Sequence, residues 1–198
     1  MDPVLYLAST SPRRHALLAA AGIVFEPCDP GPEYVAVGTD EHTTETGDPA
    51  AHAVARAVRK AIGAAVPHPG RPVLAVDTVV DLDGIELGKP RSREHAKEML
   101  LALAGRTHRV HTAHCLHVPT SGFRDVVVTH AVVACGTPGG ADLDRYLDSG
   151  EWRGKAGSYG IQDASQHFLG VVEGGIGTVI GLEVDVVRAQ LSRWRGSR

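Results

Sequence analysis

Apolar positions fall into three patterns along this chain, and each predicts a different element. Short unbroken runs, VLYLA at 4–8 and VLAV at 73–76, predict buried strands, with a further strand over 23–28 between them. Helical spacing appears at 12–21, at 48–66 through Val54, Val58, Ile62 and Ala65, at 92–104 through Ala96, Met99, Leu100 and Leu103, and near the end through Val184, Val187, Leu191 and Trp194. The alternating segment 108–118 and the valine-rich segment 124–135 predict a pair of strands, and 167–172 and 177–182 two closing strands.

The residues between these runs support the division. Ser11 followed by Pro12 suits a helix start and Gly22 a helix stop; Asp48-Pro49, Ser92 with Gly105, and Asp142 with Gly150 repeat the pattern. Asp83-Gly84 is a type I′ hairpin signal. Strands and helices alternate early and several late strands are adjacent, which predicts an α/β fold with a mixed, highly twisted sheet and flanking helices, in one domain over 1–198. The loop 29–47 is long for a pure connection and points to function.

Composition narrows the class. With 198 residues, 43% of them hydrophobic and 22% charged, the chain suits a globular protein with a real core. It has no window apolar enough for a membrane span and no basic segment ahead of an apolar N-terminal run, so cytoplasmic location is the expectation. A net charge of −3 argues against a nucleic-acid-coating surface. The three cysteines, Cys28, Cys115 and Cys135, lack metal or redox spacing and are expected in the core.

Candidate chemistry gathers around a few charged residues. Asp77 interrupts a buried apolar strand and needs a cation, a donor cluster or a solvated cleft beside it. The hairpin after it returns to Lys89. Ser9, Ser11, Arg13 and Arg14 surround a helix N-terminus, where free N–H groups and guanidinium forks can bind an anion; a capped helix with solvated arginines is the plainer alternative. Glycines at 154, 157 and 160 leave room for a ligand, with Lys155 and Gln162 as donors, although such a stretch is more often only a turn. Lys60 on a helix is more often a solvated charge than a ligand. His108, His111, His114 and His117 cannot converge on one metal, because a strand sends His108 and His114 to one face and His111 and His117 to the other. The calcium-loop hint at Asp81 and Asp83 lacks its remaining ligands.

These motifs occur in an order that resembles the Maf, or septum-formation-like, family of nucleoside triphosphate pyrophosphatases: STSPRR at 9–14, the Lys60-Ala61 pair, DTVV at 77–80, GKP at 88–90, AGRTHRVHT at 104–112 and GKAGSYGIQ at 154–162. The chain departs from the family pattern at Tyr34, Ala104, Asp163 and Glu183. The resemblance implies two lobes around a cleft, a homodimer, and hydrolysis of dTTP, UTP or modified uridine triphosphates to monophosphate and pyrophosphate, clearing noncanonical or excess nucleotides. Asp77 and Lys89 would be catalytic. Ser9, Ser11, Arg13, Arg14, Thr78, Lys155 and Gln162 would bind substrate, and Asp77 and Glu33 would hold Mg²⁺ or Mn²⁺. The alternative is a nucleotide-responsive binding module or division regulator with little turnover. No nucleic-acid or membrane partner is expected.

Overall fold

The computed structural model describes residues 4–31 and 47–197. Its elements in chain order are β1 (Leu5–Ala8), α1 (Pro12–Ala20), β2 (Phe25–Cys28), α2 (Pro49–Gly63), β3 (Val73–Leu82), β4 (Ile85–Leu87), α3 (Arg93–Leu103), β5 (Thr107–Val118), β6 (Phe123–Cys135), α4 (Gly140–Ser149), β7 (Leu169–Gly174), α5 (Ile176–Ile180) and α6 (Val184–Gly196). Seven strands form one mixed sheet in the order β2-β1-β3-β5-β6-β7, with β4 added on β3.

The first two apolar runs become parallel neighbours, Tyr6 opposite Val73 and Ala8 opposite Ala75, and the later strands β3, β5, β6 and β7 pair antiparallel. β3 runs through to Leu82, so Asp77 lies in mid-strand and not at a strand end. One edge of β3 is shared. β1 covers residues 73–75 in parallel and β4 covers 80–82 antiparallel, leaving residues 76–79 without a strand partner on that side among the described residues. Asp83 and Gly84 both have positive φ, 54° and 84°, as a type I′ turn requires.

Alternation along β3 and β5 separates two packing faces. On one face, Val73, Ala75, Val79, Ala113 and Cys115 meet the alanines of α2. On the other, Leu74, Val76 and Leu116 pack with α6 through Val187, Leu191 and Trp194, while Val80, Val110 and Val133 pack with α3 and α4. Cys115 and Cys135 are buried, as expected, and Cys28 is half-buried.

Several boundaries differ from the pattern-based expectation. The buried stripe of α2 is Ala53, Arg56, Ala57, Lys60 and Ala61; Ile62, expected inside, is 50% exposed. Small alanines let α2 approach the sheet closely, and the two long cations on the same stripe find carboxylates there. Asp142 lies in the first turn of α4, whose N-cap is Gly139. The segment 177–182, expected as a strand, instead contributes to α5. A run of apolar residues this short does not distinguish strand from helix, and tertiary contacts decide. The Glu183 carboxylate accepts hydrogen bonds from Thr178 N–H (2.7 Å) and Thr178 Oγ1 (2.9 Å), replacing the N-cap side chain that Gly175 lacks.

Two buried histidines give the fold a pH signature. His114 Nε2 accepts from Glu183 N–H at 2.9 Å, and His108 Nε2 lies 2.6 Å from the Tyr159 hydroxyl. Burial lowers both rings from 6.5 to about 4. Between these values the unfolded chain takes up protons that the native chain refuses, so this stability is complete above pH 6.5 and is lost as pH falls toward 4. Urea unfolding should show a loss on the order of 2 kcal/mol per ring between pH 7 and pH 5. His114→Gln, which keeps an acceptor for Glu183 N–H, should flatten its share of that slope.

Candidate active site

The uncovered stretch of β3 opens into a cavity of about 570 Å³. Asp77 and Thr78 sit at its floor and, being consecutive, project to opposite faces of the sheet. The cavity therefore takes lining residues from both faces. Ser9, Ser11, Arg13 and Arg14 line it from the β1–α1 turn, Arg56 and Lys60 from α2, Glu86 and Lys89 from the hairpin, and Arg153, Lys155 and Tyr159 from the loop after α4. Seven of these lining residues are basic (Arg13, Arg14, Arg56, Lys60, Lys89, Arg153, Lys155) and two are acidic (Asp77, Glu86). The surplus of positive charge suits a polyanion.

Asp77 is 7% exposed and Lys60 4%. Lys60 Nζ donates to Asp77 Oδ1 at 2.8 Å and lies 3.5 Å from Val76 O. Arg56 grips Glu86 through both terminal nitrogens, at 2.5 and 3.0 Å, and its Nη1 is 3.7 Å from Asp77 Oδ2. His52 Nδ1 closes the cluster, 3.0 Å from Glu86 Oε2. Lys60 is thus a buried partner of Asp77 and not a solvated helix charge. Arg56, Lys60, Glu86 and Arg153 were not among the site residues expected from the sequence. For Arg56 and Lys60 a signal was present: they lie four residues apart and flank the alanines 53, 57 and 61, which mark the face of a helix that approaches a sheet closely.

The other expected residues divide clearly. Arg14 is a structural clamp: its Nε donates to Gly181 O (2.9 Å), Nη1 to Ser9 Oγ (3.2 Å) and Nη2 to Thr78 Oγ1 (3.1 Å), joining β1, β3 and the end of α5. Thr112 Oγ1 donates to Thr178 O, so in the 2.9 Å contact between Thr78 Oγ1 and Thr112 Oγ1 the Thr78 hydroxyl is the donor. Its single proton is committed to the sheet, which makes Thr78 a support for Arg14. Ser11 N–H donates to Ser9 Oγ at 3.2 Å, and the Ser11 side chain makes no cap hydrogen bond. Arg13 is exposed and lines the cavity. Gln162 lies in an exposed turn and is not part of the lining. Glu33 and Tyr34 lie outside the described residues.

Among the described residues a divalent cation finds one carboxylate oxygen without a hydrogen bond in the cavity. Asp77 Oδ2 is buried and has no hydrogen-bond partner among the described residues, while Glu86 is engaged by Arg56 and His52. One carboxylate oxygen without a hydrogen-bond donor fits a cation that completes its shell with substrate phosphates and water, the usual habit of Mg²⁺. Among the described residues no three histidine, cysteine or acidic side chains converge as a metal cage, and the four histidines of β5 divide between the two faces.

The model of a family described as "Maf-like protein" matches residues 4–194. Among curated relatives, the dTTP/UTP pyrophosphatase of Bordetella pertussis is 40% identical over 192 residues, covering 92% of this chain and 88% of that one. The dTTP/UTP pyrophosphatase of Anaeromyxobacter dehalogenans is 40% identical, covering 98% and 95%. That of Thermus thermophilus is 41% identical, covering 96% and 94%.

The buried pair makes a stability prediction. Lys60→Met leaves Asp77 as a buried charge whose remaining cation among the described residues is the more distant Arg56, which should cost about 3–5 kcal/mol in denaturant unfolding. Adding Asp77→Asn removes the stranded charge and should restore part of that loss. A loss below about 1 kcal/mol in the single variant would mean that the pair is solvated.

Proposed function

Because this chain belongs to the Maf family, we propose that it hydrolyses nucleoside triphosphates, dTTP and UTP foremost, to the monophosphate and pyrophosphate. The observation that carries this reading is the pairing, in one cavity, of seven basic side chains with a buried carboxylate that keeps one oxygen without a hydrogen bond among the described residues. The activity named for the relatives supplies the position of cleavage, the bond between the α- and β-phosphates, and the pyrimidine preference.

In this mechanism Arg13, Lys89 and Lys155 hold the phosphate chain, with N–H groups at the start of α1 as neutral donors. Arg14 fixes the wall that carries Gly181 and supports the turn around Ser9. Lys60 holds Asp77 Oδ1, so that Oδ2 is presented in one orientation to accept a proton from an attacking water. Water adds to the α-phosphorus, its proton passes to Asp77, and the oxygen bridging to the β-phosphorus leaves with pyrophosphate, whose charge Lys89 and Lys155 offset. A divalent cation, when bound by Asp77 and the phosphates, and by Glu33 as the resemblance implies, would neutralise phosphate charge and polarise the water. The same reading makes the protein a cytoplasmic homodimer of single-domain subunits that removes unwanted nucleotides.

Incubation with dTTP or UTP and Mg²⁺ or Mn²⁺ should release pyrophosphate and monophosphate in equal amounts; inorganic phosphate with the diphosphate would overturn the assignment. Asp77→Asn should lower kcat by about 10²–10⁴ in the folded fraction while nucleotide still binds. Arg13→Ala should do the reverse, weakening nucleotide binding roughly tenfold or more at an unchanged Tm, because its exposed guanidinium is needed for charge and not for packing.

A further inference from the structure

Asp163 stands just behind the cavity wall and is itself no part of the lining. Its side chain is 10% exposed and that of its partner Lys155 11%. Asp163 Oδ1 forms an ion pair with Lys155 Nζ. Asp163 Oδ2 accepts from Gly160 N–H at 2.8 Å and from the Tyr146 hydroxyl at 2.7 Å. Tyr146 is fully buried in α4, and burial together with the adjacent carboxylate pushes its hydroxyl pKa well above the ordinary value, so it remains a donor. The carboxylate is therefore fixed from a helix and from a main-chain turn before it meets the lysine.

The loop is shaped around this contact. A Cβ on Gly160 would come within 2.5 Å of Asp163 Oδ1 and 2.8 Å of Lys155 Nζ, so glycine is what allows the pair to close over the turn. Gly157, at φ 66°, donates its N–H to Gly88 O at 3.1 Å and ties the loop to the residue before Lys89. An ammonium has three N–H donors, and one directed at a fixed carboxylate leaves two for a ligand. Anchoring also removes much of the rotamer freedom that a free lysine would lose on binding phosphate.

We propose that Asp163 is a positioning residue for polyphosphate binding: it holds the Lys155 ammonium at the cavity wall without touching the substrate. This rests on the triphosphate reading above and adds to it a residue that acts only through Lys155. The same geometry assigns Gly160 as the residue that makes room for the pair.

A double-mutant cycle tests it. Asp163→Asn, Lys155→Met and the double variant are compared by calorimetric affinity for inorganic triphosphate, and by kcat and KM on dTTP. Asp163→Asn should weaken triphosphate binding about five- to tenfold, and Lys155→Met about tenfold or more, while the double variant should be no weaker than Lys155→Met alone. On dTTP the loss should fall on KM more than on kcat. Losses that multiply in the double variant, or tighter binding by Asp163→Asn, would overturn the proposal. Tyr146→Phe removes a hydrogen bond from the same carboxylate but leaves the ion pair; it should lower Tm with affinity kept near wild type, and a loss equal to that of Asp163→Asn would assign the effect to loop folding instead. If Asp163→Asn does not fold, Asp163→Ser carries the same cycle. Absence of dTTP and UTP turnover alongside a coupled triphosphate cycle would sink the hydrolase reading and leave this one standing; turnover with an uncoupled cycle would do the opposite.

Discussion

The buried contact between Lys60 and Asp77 is the constraint on which the site depends. A carboxylate in the middle of a β-strand, 7% exposed, costs several kcal/mol unless a cation meets it. That cation must come from the element covering the same face of the sheet, which is α2. The helix therefore has to approach closely and in one rotation, and its alanine stripe makes the approach possible. Arg56, one turn earlier, reaches Glu86 on β4 and so attaches the hairpin, with Lys89 at its end, to the same helix. One ionic cluster sets the helix, the strand and the hairpin relative to one another.

On the opposite face the equivalent task falls to one arginine and a set of hydroxyls. Arg14 reaches Gly181, Ser9 and Thr78, and a run of hydroxyls continues from Thr78 through Thr112 to Thr178 and Glu183. Each hydroxyl has a single proton to donate, so the direction of the chain is fixed once Thr112 is bonded to the Thr178 carbonyl. The wall formed by α5 is held by this chain and by His114, and not by helix propensity, which is weak for a segment of five residues.

How much of this was legible in the sequence depended on whether local or distant groups made the decision. Ser92 as a helix cap, Asp83-Gly84 as a type I′ turn and the pairing of β5 with β6 follow from near neighbours, and each was visible. The rotation of α2 was not: Val54, Val58 and Ile62 look like a core stripe, but the buried face is chosen by carboxylates on β3 and β4 that lie far away in the chain. The helix at 176–180 is not legible for a different reason: so short an apolar run suits strand or helix equally, and its cap comes from Glu183, beyond its C-terminal end, where no cap signal is sought. At the site, Asp77, Lys89, Lys155, Ser9, Ser11 and Arg13 were visible as charges or hydroxyls next to turns, and they do line one cavity. Arg14 and Thr78 were also visible, but their reach across the sheet to Gly181 and Thr112 could only be seen in three dimensions.

The shared edge of β3 has one further consequence. Exposed strand edges invite pairing with strands of other chains, and proteins usually blunt them with charge, proline or a covering element. Here the edge of 76–79 that faces away from β5, without a strand partner among the described residues, is bounded at one end by β1 and at the other by β4, which run in opposite senses. Four residues between two such neighbours leave too short an opening for an incoming strand, and the surrounding cations disfavour a neutral backbone as guest. Among the described residues the central strand thus carries its break in pairing without presenting an aggregation-prone edge.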